Sequence, residues 1–430
     1  MKIVIIGEGG REHALVWKVA QSNLVTEIFA LPGNVGTSLE PKTQNVPIQV
    51  SAIADIVQFC EERSIDLCII GPEVPLVLGL SDELDAKGIK CFGPSQAASQ
   101  LEGSKAFSKA FLERHSIPTA AYANFSDLTK AKAYVENQSL PIVIKADGLA
   151  AGKGVIIAQT QEAAFTALDD ILINNQFGEA GANVVVEAFL EGEEASFMCI
   201  ADGESVVPLA TSQDHKAAYD GDLGPNTGGM GAYSPAPIVD DEMHKRIMQA
   251  IIEPTLEGLK AEGMPYVGFL YAGVMINEQG EPWVLEFNCR MGDPETQPIM
   301  MRMKSDLVAH CLAAVNGDIS GEQLQWREET ALGVILASEG YPGAYEGNQT
   351  IQIDADDNPD VKLFYAGVKK QGNETKTSGG RVMCACALGE TVQEAQANAY
   401  QLVDKVSWNG MWHRNDIGHR AIAREIGRVT

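Results

Sequence analysis

The sequence predicts a multidomain protein of α/β and α+β class whose chain opens on a parallel α/β sheet. Three observations carry that expectation. A length of 430 residues exceeds what one hydrophobic core serves, and ordinary domain sizes suggest about three domains. Near the N-terminus, short apolar runs alternate with helical periodicity, as strand–helix–strand units do. The runs stop at Gly7, Pro32-Gly33, Gly71-Pro72 and Gly93-Pro94, and strand ends of that kind are where parallel sheets bind ligands.

Strands are expected over residues 2–6, 27–31, 66–70 and 89–92, with helices over 11–21, 53–63 and 81–87 between them. A helix over 105–115 follows Leu101-Glu102-Gly103-Ser104. Strands over 142–145, 155–158 and 184–187 then alternate with helices over 131–137 and 162–174. This unit carries Gly148-Leu149-Ala150-Ala151-Gly152-Lys153-Gly154 and reads as a lid, because glycine lets a moving loop bring its backbone close to a ligand. Residues 189–325 hold most of the polar motifs. Strands over 331–337 and 381–388 and a helix over 391–406 end the pattern, with no internal repeat or low-complexity tract.

A net charge of −26 argues against a sequence-independent grip on nucleic acid or anionic lipid. An anionic substrate must be held locally, by a few Lys and Arg, backbone N–H groups and cations. No apolar stretch approaches the roughly 20 residues that span a bilayer, and the run after Met1 breaks at Gly7 too early for a signal peptide. The eight cysteines show no paired metal-ligand spacing and are expected to be reduced core thiols of a cytoplasmic protein. The loop Gly7-Glu8-Gly9-Gly10-Arg11-Glu12 fails the dinucleotide fingerprint. Glu12 stands where the third glycine belongs, and the second strand ends in Leu31-Pro32-Gly33 with no acid for a ribose. A phosphorylated substrate on its N–H groups and a plain tight turn both stay open.

Four constellations can carry chemistry. Lys145, at the end of an apolar strand, sets a cation over nucleotide phosphates, and a hairpin with Gly152, Lys153 and Gly154 adds N–H donors. A glycine-rich surface hairpin is the alternative. A strand that leaves its sheet at Glu187 exposes backbone groups for an adenine edge, and Glu194 can take ribose hydroxyls; a solvated acidic turn is the alternative there. Over 283–296, strand alternation puts Glu286, Asn288 and Arg290 on one face and Leu285, Phe287 and Cys289 on the other. A carboxylate and an amide oxygen so spaced suit Mg²⁺, and Arg290 suits a phosphoryl group or a carboxylate. Finally, the polar stretches around Asp214 and Gly228 lie outside any periodic element and read as ligand-facing loops, with His215 either a general base or a hydrogen-bonding group.

The motifs Gly7-Glu8-Gly9-Gly10-Arg11-Glu12-His13-Ala14, Gly71-Pro72-Glu73, Leu101-Glu102-Gly103-Ser104-Lys105, the segment 144–155, Gln213-Asp214-His215-Lys216, the segment 224–233 and the segment 286–297 occur in this order. Together they resemble the ATP-grasp superfamily and, nearly end to end, its phosphoribosylamine–glycine ligase family. Segments 224–233 and 286–297 are the most specific, and Asp416-Ile417-Gly418-His419-Arg420 resembles the family's C-terminus. The resemblance implies an N-terminal domain over 1–102, a central ATP-grasp domain over 103–121 and 189–325, an ATP-grasp lid over 122–188 and a C-terminal mixed domain over 326–430. It implies adenine at Glu187 to Leu190, ribose on Glu194, phosphates on Lys105 and Lys145, and Mg²⁺ or Mn²⁺ on Glu286 and Asn288. The implied reaction joins glycine to 5-phosphoribosylamine through glycyl phosphate at the cost of ATP. In it Arg290 is expected at the reacting carboxylate or phosphoryl group, with Asp214 and Glu295 orienting the glycine ammonium. A monomer acting on small molecules is expected, with no nucleic-acid or membrane partner. The stretch 271–276 lacks a carboxylate that many superfamily relatives give to a second metal ion, so that ion has no assigned ligand.

Overall fold

The computed structural model describes residues 1–149, 154–174, 181–355 and 358–427. Its first apolar run forms the strand Lys2–Gly7, and the strand period sorts its side chains to two sides. Val4 and Ile6 enter one buried cluster, Ile3 and Ile5 another, and all four are inaccessible to solvent. That strand is the centre of a five-stranded parallel sheet in which Glu27–Pro32 and Thr43–Asn45 lie to one side and Leu67–Ile70 and Cys91–Phe92 to the other. The chain order therefore reverses between Lys2–Gly7 and Leu67–Ile70, and such a switch point opens a crevice at the strand ends.

Here the Gly7 turn at the floor of the crevice is filled from within. Gly7 has φ +126°, and a β-carbon on it would lie 2.3 Å from Cγ of Glu12. The Glu12 carboxylate accepts from the Gly9 N–H at 2.7 Å. Glu12 thus occupies the space against the Gly7 turn where the dinucleotide fingerprint needs its third glycine, which is the physical content of the broken fingerprint. The Gly9 N–H is thereby spent on closing the turn, which leaves a phosphorylated substrate only the other groups of this loop.

A four-stranded antiparallel sheet in the order Val206–Pro208, Glu193–Asp202, Val267–Ile276, Pro282–Asn288 forms the central part. A six-stranded sheet runs Gln213–Asp214, Gly231–Ser234, Thr330–Ser338, Arg381–Gly389, Val361–Tyr365, with Met411–Trp412 paired to Thr330–Ser338. The polar stretches expected to be loops thus contain short strands, Ala217–Tyr219 and Leu223–Asn226 among them. Their residues are too polar and too few for any strand period to show. The last expected helix ends early, at Val403, because Val406 pairs with Ile353.

Residues 122–188 contain the fourth large sheet, in the order Tyr122–Phe125, Val184–Ala188, Ile142–Ala146, Val155–Ala158, with helices Leu128–Val135 and Gln161–Leu172 packed on it. Among the described residues its buried cluster draws only on its own residues, from Ala131 to Val186. The other parts share clusters across their boundaries, as when Ile5, Met198, Phe269 and Cys384 meet in one.

Candidate active site

Between this small sheet and the central one lies a cleft of about 310 Å³. The residue types the sequence singled out converge on it: Lys105, Lys145, Gly154, Glu187, Asp214, Glu286, Asn288, Arg290 and Glu295 all line it. Gly152 and Lys153 fall outside the described residues. Leu190 does not line the cleft; it lies half-buried beyond the strand end. Glu194 reaches the site through its ion pair with Lys216, a cleft residue.

The strand Val184–Ala188 does not leave its sheet at Glu187. Glu187 lies opposite Tyr122 on one side and Val143 on the other, and the next N–H, of Ala188, donates to Ala121 O at 2.9 Å. Backbone free of the ladder begins only at Phe189. The sequence misplaced this edge because the apolar run Val184-Val185-Val186 ends before the pairing does. What Glu187 contributes is its carboxylate, buried between Lys145 Nζ at 2.9 Å and Lys109 Nζ at 2.8 Å. Burial pushes the Lys109 ammonium down to about 8. Lys145 Nζ also donates to Leu285 O at 3.1 Å, and Lys105 Nζ to Gly148 O at 2.8 Å. These two cations tie the small sheet to the central one.

Strict alternation along 283–290 also fails at one residue. Gly273 pairs with Glu286 but Val274 with Val284, so Leu285 is the extra residue of a bulge. Leu285 therefore faces the cleft beside Glu286 instead of opposing it. The strand ends at Asn288, and Arg290 lies past it, held by Glu102 Oε1 at 2.9 Å and Glu73 Oε2 at 3.4 Å. Burial pushes the Glu102 carboxyl up to about 7, against the pull of Arg290. Burial acts the same way on Glu73, but Arg290 and Arg11 outweigh it and hold that acid below its usual range.

Charge is finely divided across the cleft. Burial would raise the Glu286 carboxyl, yet Lys216, Lys145 and Lys105 together keep it below its ordinary value. Asp214 goes the other way: burial, with Glu295, Glu194 and Glu286 nearby, raises it well above the carboxylate range despite Lys216. Glu295 is buried and accepts from Ser196 Oγ at 2.9 Å. An ionised carboxylate whose nearest cation among the described residues, Lys216, stands 3.7 Å away, with an amide two residues on, is a donor set that fits a hard divalent ion.

Several cleft residues were given no role by the sequence. Lys109 was findable, since it follows Lys105 by one helical turn and shares its face. Arg381 was not. It opens the strand Arg381–Gly389, far from its partners in sequence. Its guanidinium donates to Gly228 O at 2.5 Å, to Asp293 O at 2.7 Å and to Asp293 Oδ2 at 2.8 Å. A β-carbon at Gly228 would come within 3.0 Å of Arg381 Cζ, so glycine is what lets the guanidinium lie on that turn. Asp293 and Arg381 also line a second cavity of about 350 Å³, walled further by Glu8, Gly9, Asn34, Gly367, Ser378 and Gly379. The two cavities share that ion pair as a common wall. His215 lines neither cavity.

Among the described residues no helix is long and apolar enough to cross a membrane. Comparison with known proteins places this geometry. Residues 1–102 match the description "Phosphoribosylglycinamide synthetase, N domain", residues 103–296 its "ATP-grasp (A) domain" and residues 331–420 its "C domain". The chain is 58% identical over 429 residues to a phosphoribosylamine–glycine ligase of Vibrio vulnificus, covering 99% of each chain. It is 57% identical over 427 residues to that of Salmonella typhimurium, covering 99% of this chain and 100% of that one. Its structure superposes on the crystal structure of a phosphoribosylamine–glycine ligase from Thermotoga maritima with a TM-score of 0.86 at 33% identity, over 97% of this chain and 100% of that one. The biotin carboxylase domain of a Hydrogenobacter thermophilus 2-oxoglutarate carboxylase shares the fold at 16% identity, with a TM-score of 0.74 over 96% and 91% of the two chains. The chain belongs to the phosphoribosylglycinamide synthetase family of ATP-grasp ligases.

Proposed function

We propose that this chain joins glycine to 5-phosphoribosylamine with ATP, giving glycinamide ribonucleotide, ADP and phosphate, a step of de novo purine biosynthesis. The observation that carries the reading is the convergence of Lys105, Lys145, Glu286, Asn288 and Arg290 on one cleft whose wall, Asp293 and Arg381, it shares with a second cavity. One cavity suits the nucleotide and glycine, the other the phosphorylated amine, so the reacting groups meet across that wall.

In this reading Lys105 and Lys145 exchange carbonyl contacts for the ATP phosphates as the nucleotide enters. Adenine stacks toward Leu285 and the free backbone after Ala188, with Glu194 on the ribose. Glu286 and Asn288 would hold a Mg²⁺ or Mn²⁺ ion, whose charge would offset that of the phosphates. Glu295 and Asp214 bind the glycine ammonium, whose charge lets the buried Asp214 give up its proton, and Arg290 steadies the glycine carboxylate as one of its oxygens attacks the γ-phosphorus and ADP leaves. The amine of 5-phosphoribosylamine then attacks the carbonyl carbon of glycyl phosphate, and phosphate departs with the oxygen that linked it. No side-chain nucleophile is needed; alignment and charge neutralisation do the work. The small sheet with its own core would close as a unit and keep water from the acyl phosphate. The free state of all eight cysteines is in keeping with a cytoplasmic enzyme, which we read as a monomer.

The test is ADP release from ATP with glycine, with and without freshly made 5-phosphoribosylamine. Sustained release requiring both substrates is expected. Release that ignores glycine, or that accepts another amine in preference, would overturn the assignment.

A further inference from the structure

The hairpin formed by Ala217–Tyr219 and Leu223–Asn226 has its roots in the nucleotide cleft. On one side is Lys216, paired with Glu194 and 3.7 Å from Glu286; on the other are Thr227 and Gly228. Thr227 locks the roots together, its N–H and its hydroxyl donating to Lys216 O at 2.7 and 2.9 Å. A segment almost two hundred residues later in the chain grips the hairpin both at Ala217, beside its root, and at its tip, Asp220 to Asp222. Arg414, whose guanidinium is entirely buried, donates to Ala217 O at 3.1 Å, to Asp222 Oδ1 at 3.0 Å and to Asp416 Oδ1 at 2.8 Å. The Asn415 N–H and side-chain amide take both oxygens of Asp220, and the Gly221 N–H donates to Asp416 Oδ2 at 2.8 Å. Arg420 holds the other oxygen of Asp222 at 2.7 Å.

His215, next to Lys216, completes the grip. The Gly418 N–H donates to its Nε2 at 2.8 Å, so the proton sits on Nδ1, facing Asp222 at 3.6 Å. Burial keeps this ring neutral, as an acceptor of that bond must be. His215, Asp222 and His419 lie close enough to suggest a metal site. Two observations argue for a clasp instead: the free nitrogen of His215 is already spent on Gly418, and Asp222 is already paired with two guanidinium groups.

We propose that this clasp, centred on Arg414, is a positioning device for Lys216, and through it for the ATP ribose and the Glu286 carboxylate. The inference rests on the nucleotide cleft being read correctly. Arg414 touches no substrate; it fixes the hairpin from behind, so that Lys216 meets Glu194 and Glu286 without searching. A guanidinium is required because one planar fork satisfies a carbonyl and two carboxylates at once, which an ammonium cannot.

A double-mutant cycle in the full-length enzyme tests this. Arg414→Lys keeps the charge and loses the fork, and it should raise the KM for ATP about tenfold while leaving the KM for glycine in place. Lys216→Ala should raise the KM for ATP at least as much, and the double variant should be no worse than Lys216→Ala alone. Additive effects, or an equal rise in the KM for glycine, would show general loosening and overturn the proposal. Should Arg414→Lys fold poorly, Asp220→Ala releases only the exposed Asn415 contact, and the same split and the same non-additivity are expected. If Lys216→Ala leaves the KM for ATP unchanged, the cleft itself has been misread and the clasp has nothing to position.

Discussion

Lys145 Nζ lies 2.9 Å from Glu187 Oε1, and the opposite oxygen of the same carboxylate is held by Lys109 at 2.8 Å. Three buried charges thus form one unit in which a single acid serves two ammonium groups. Glu187→Gln removes the carboxylate paired with both cations, and the expected loss of stability is about 3–5 kcal/mol. Adding Lys109→Met should recover part of it, because one of the uncompensated charges goes. Urea denaturation of the three proteins measures this. A Glu187→Gln enzyme as stable as the wild type would show that the carboxylate does not carry these lysines.

Arg290 is expected to act on the reacting groups while anchored by Glu102 and Glu73. Arg290→Lys retains a charge for those two acids but loses the planar fork, and kcat should fall by about 10²–10³. Stopped assays at saturating ATP, glycine and amine give the number. Near-normal turnover would remove Arg290 from the chemistry.

Glu286→Gln keeps the shape of the side chain and removes the charge. The concentration of Mg²⁺ needed for half-maximal activity should rise by at least about 10–100-fold, since losing even an outer partner of a metal ligand costs that much. A metal titration superimposable on the wild type would exclude direct ligation.

His13 lies at the junction of the helix Gly10–Ala20 and the strand Val361–Tyr365. Its Nε2 is 3.0 Å from Glu40 Oε1, and its Nδ1 accepts from the Tyr365 N–H at 2.7 Å. Both contacts suit the neutral ring, and burial lowers the His13 pKa below its usual 6.5. Unfolding therefore lets His13 take up a proton more readily, and its contribution to stability is present above pH 6.5 and lost as pH falls through the folded value. Melting temperatures should climb with pH across that window, and less so in His13→Gln. Parallel slopes for the two proteins would contradict the assignment.

Much of this arrangement was legible in the sequence, for reasons that separate cleanly. The parallel sheet was readable because its strands are continuous apolar runs closed by glycine or proline, and the strand Ile142–Ala146 because Lys145 interrupts apolar neighbours. Glu286 and Asn288 stood out as polar groups on an otherwise apolar strand, with Arg290 two residues past its end. The bulge at Leu285 was not readable, since it depends on how Val267–Ile276 pairs across from it. Nor was the extension of Val184–Ala188, set by partners in two other strands. Arg381 and Arg414 were invisible for a related reason. Each acts through carbonyls and carboxylates distant in sequence, and an arginine at the start of a strand or in a loop carries no local mark of that.

The claim at the centre of this account is that a glycine oxygen attacks phosphorus before any carbon–nitrogen bond forms. The direct test supplies glycine with a heavy oxygen isotope in its carboxylate, together with ATP and 5-phosphoribosylamine, and weighs the phosphate released. One heavy oxygen should appear in the phosphate for each turnover, because the bond that breaks last is carbonyl carbon to bridging oxygen. Phosphate free of the label would mean that no glycyl phosphate forms, and the roles given to Arg290, Lys105 and Lys145 would fall with it.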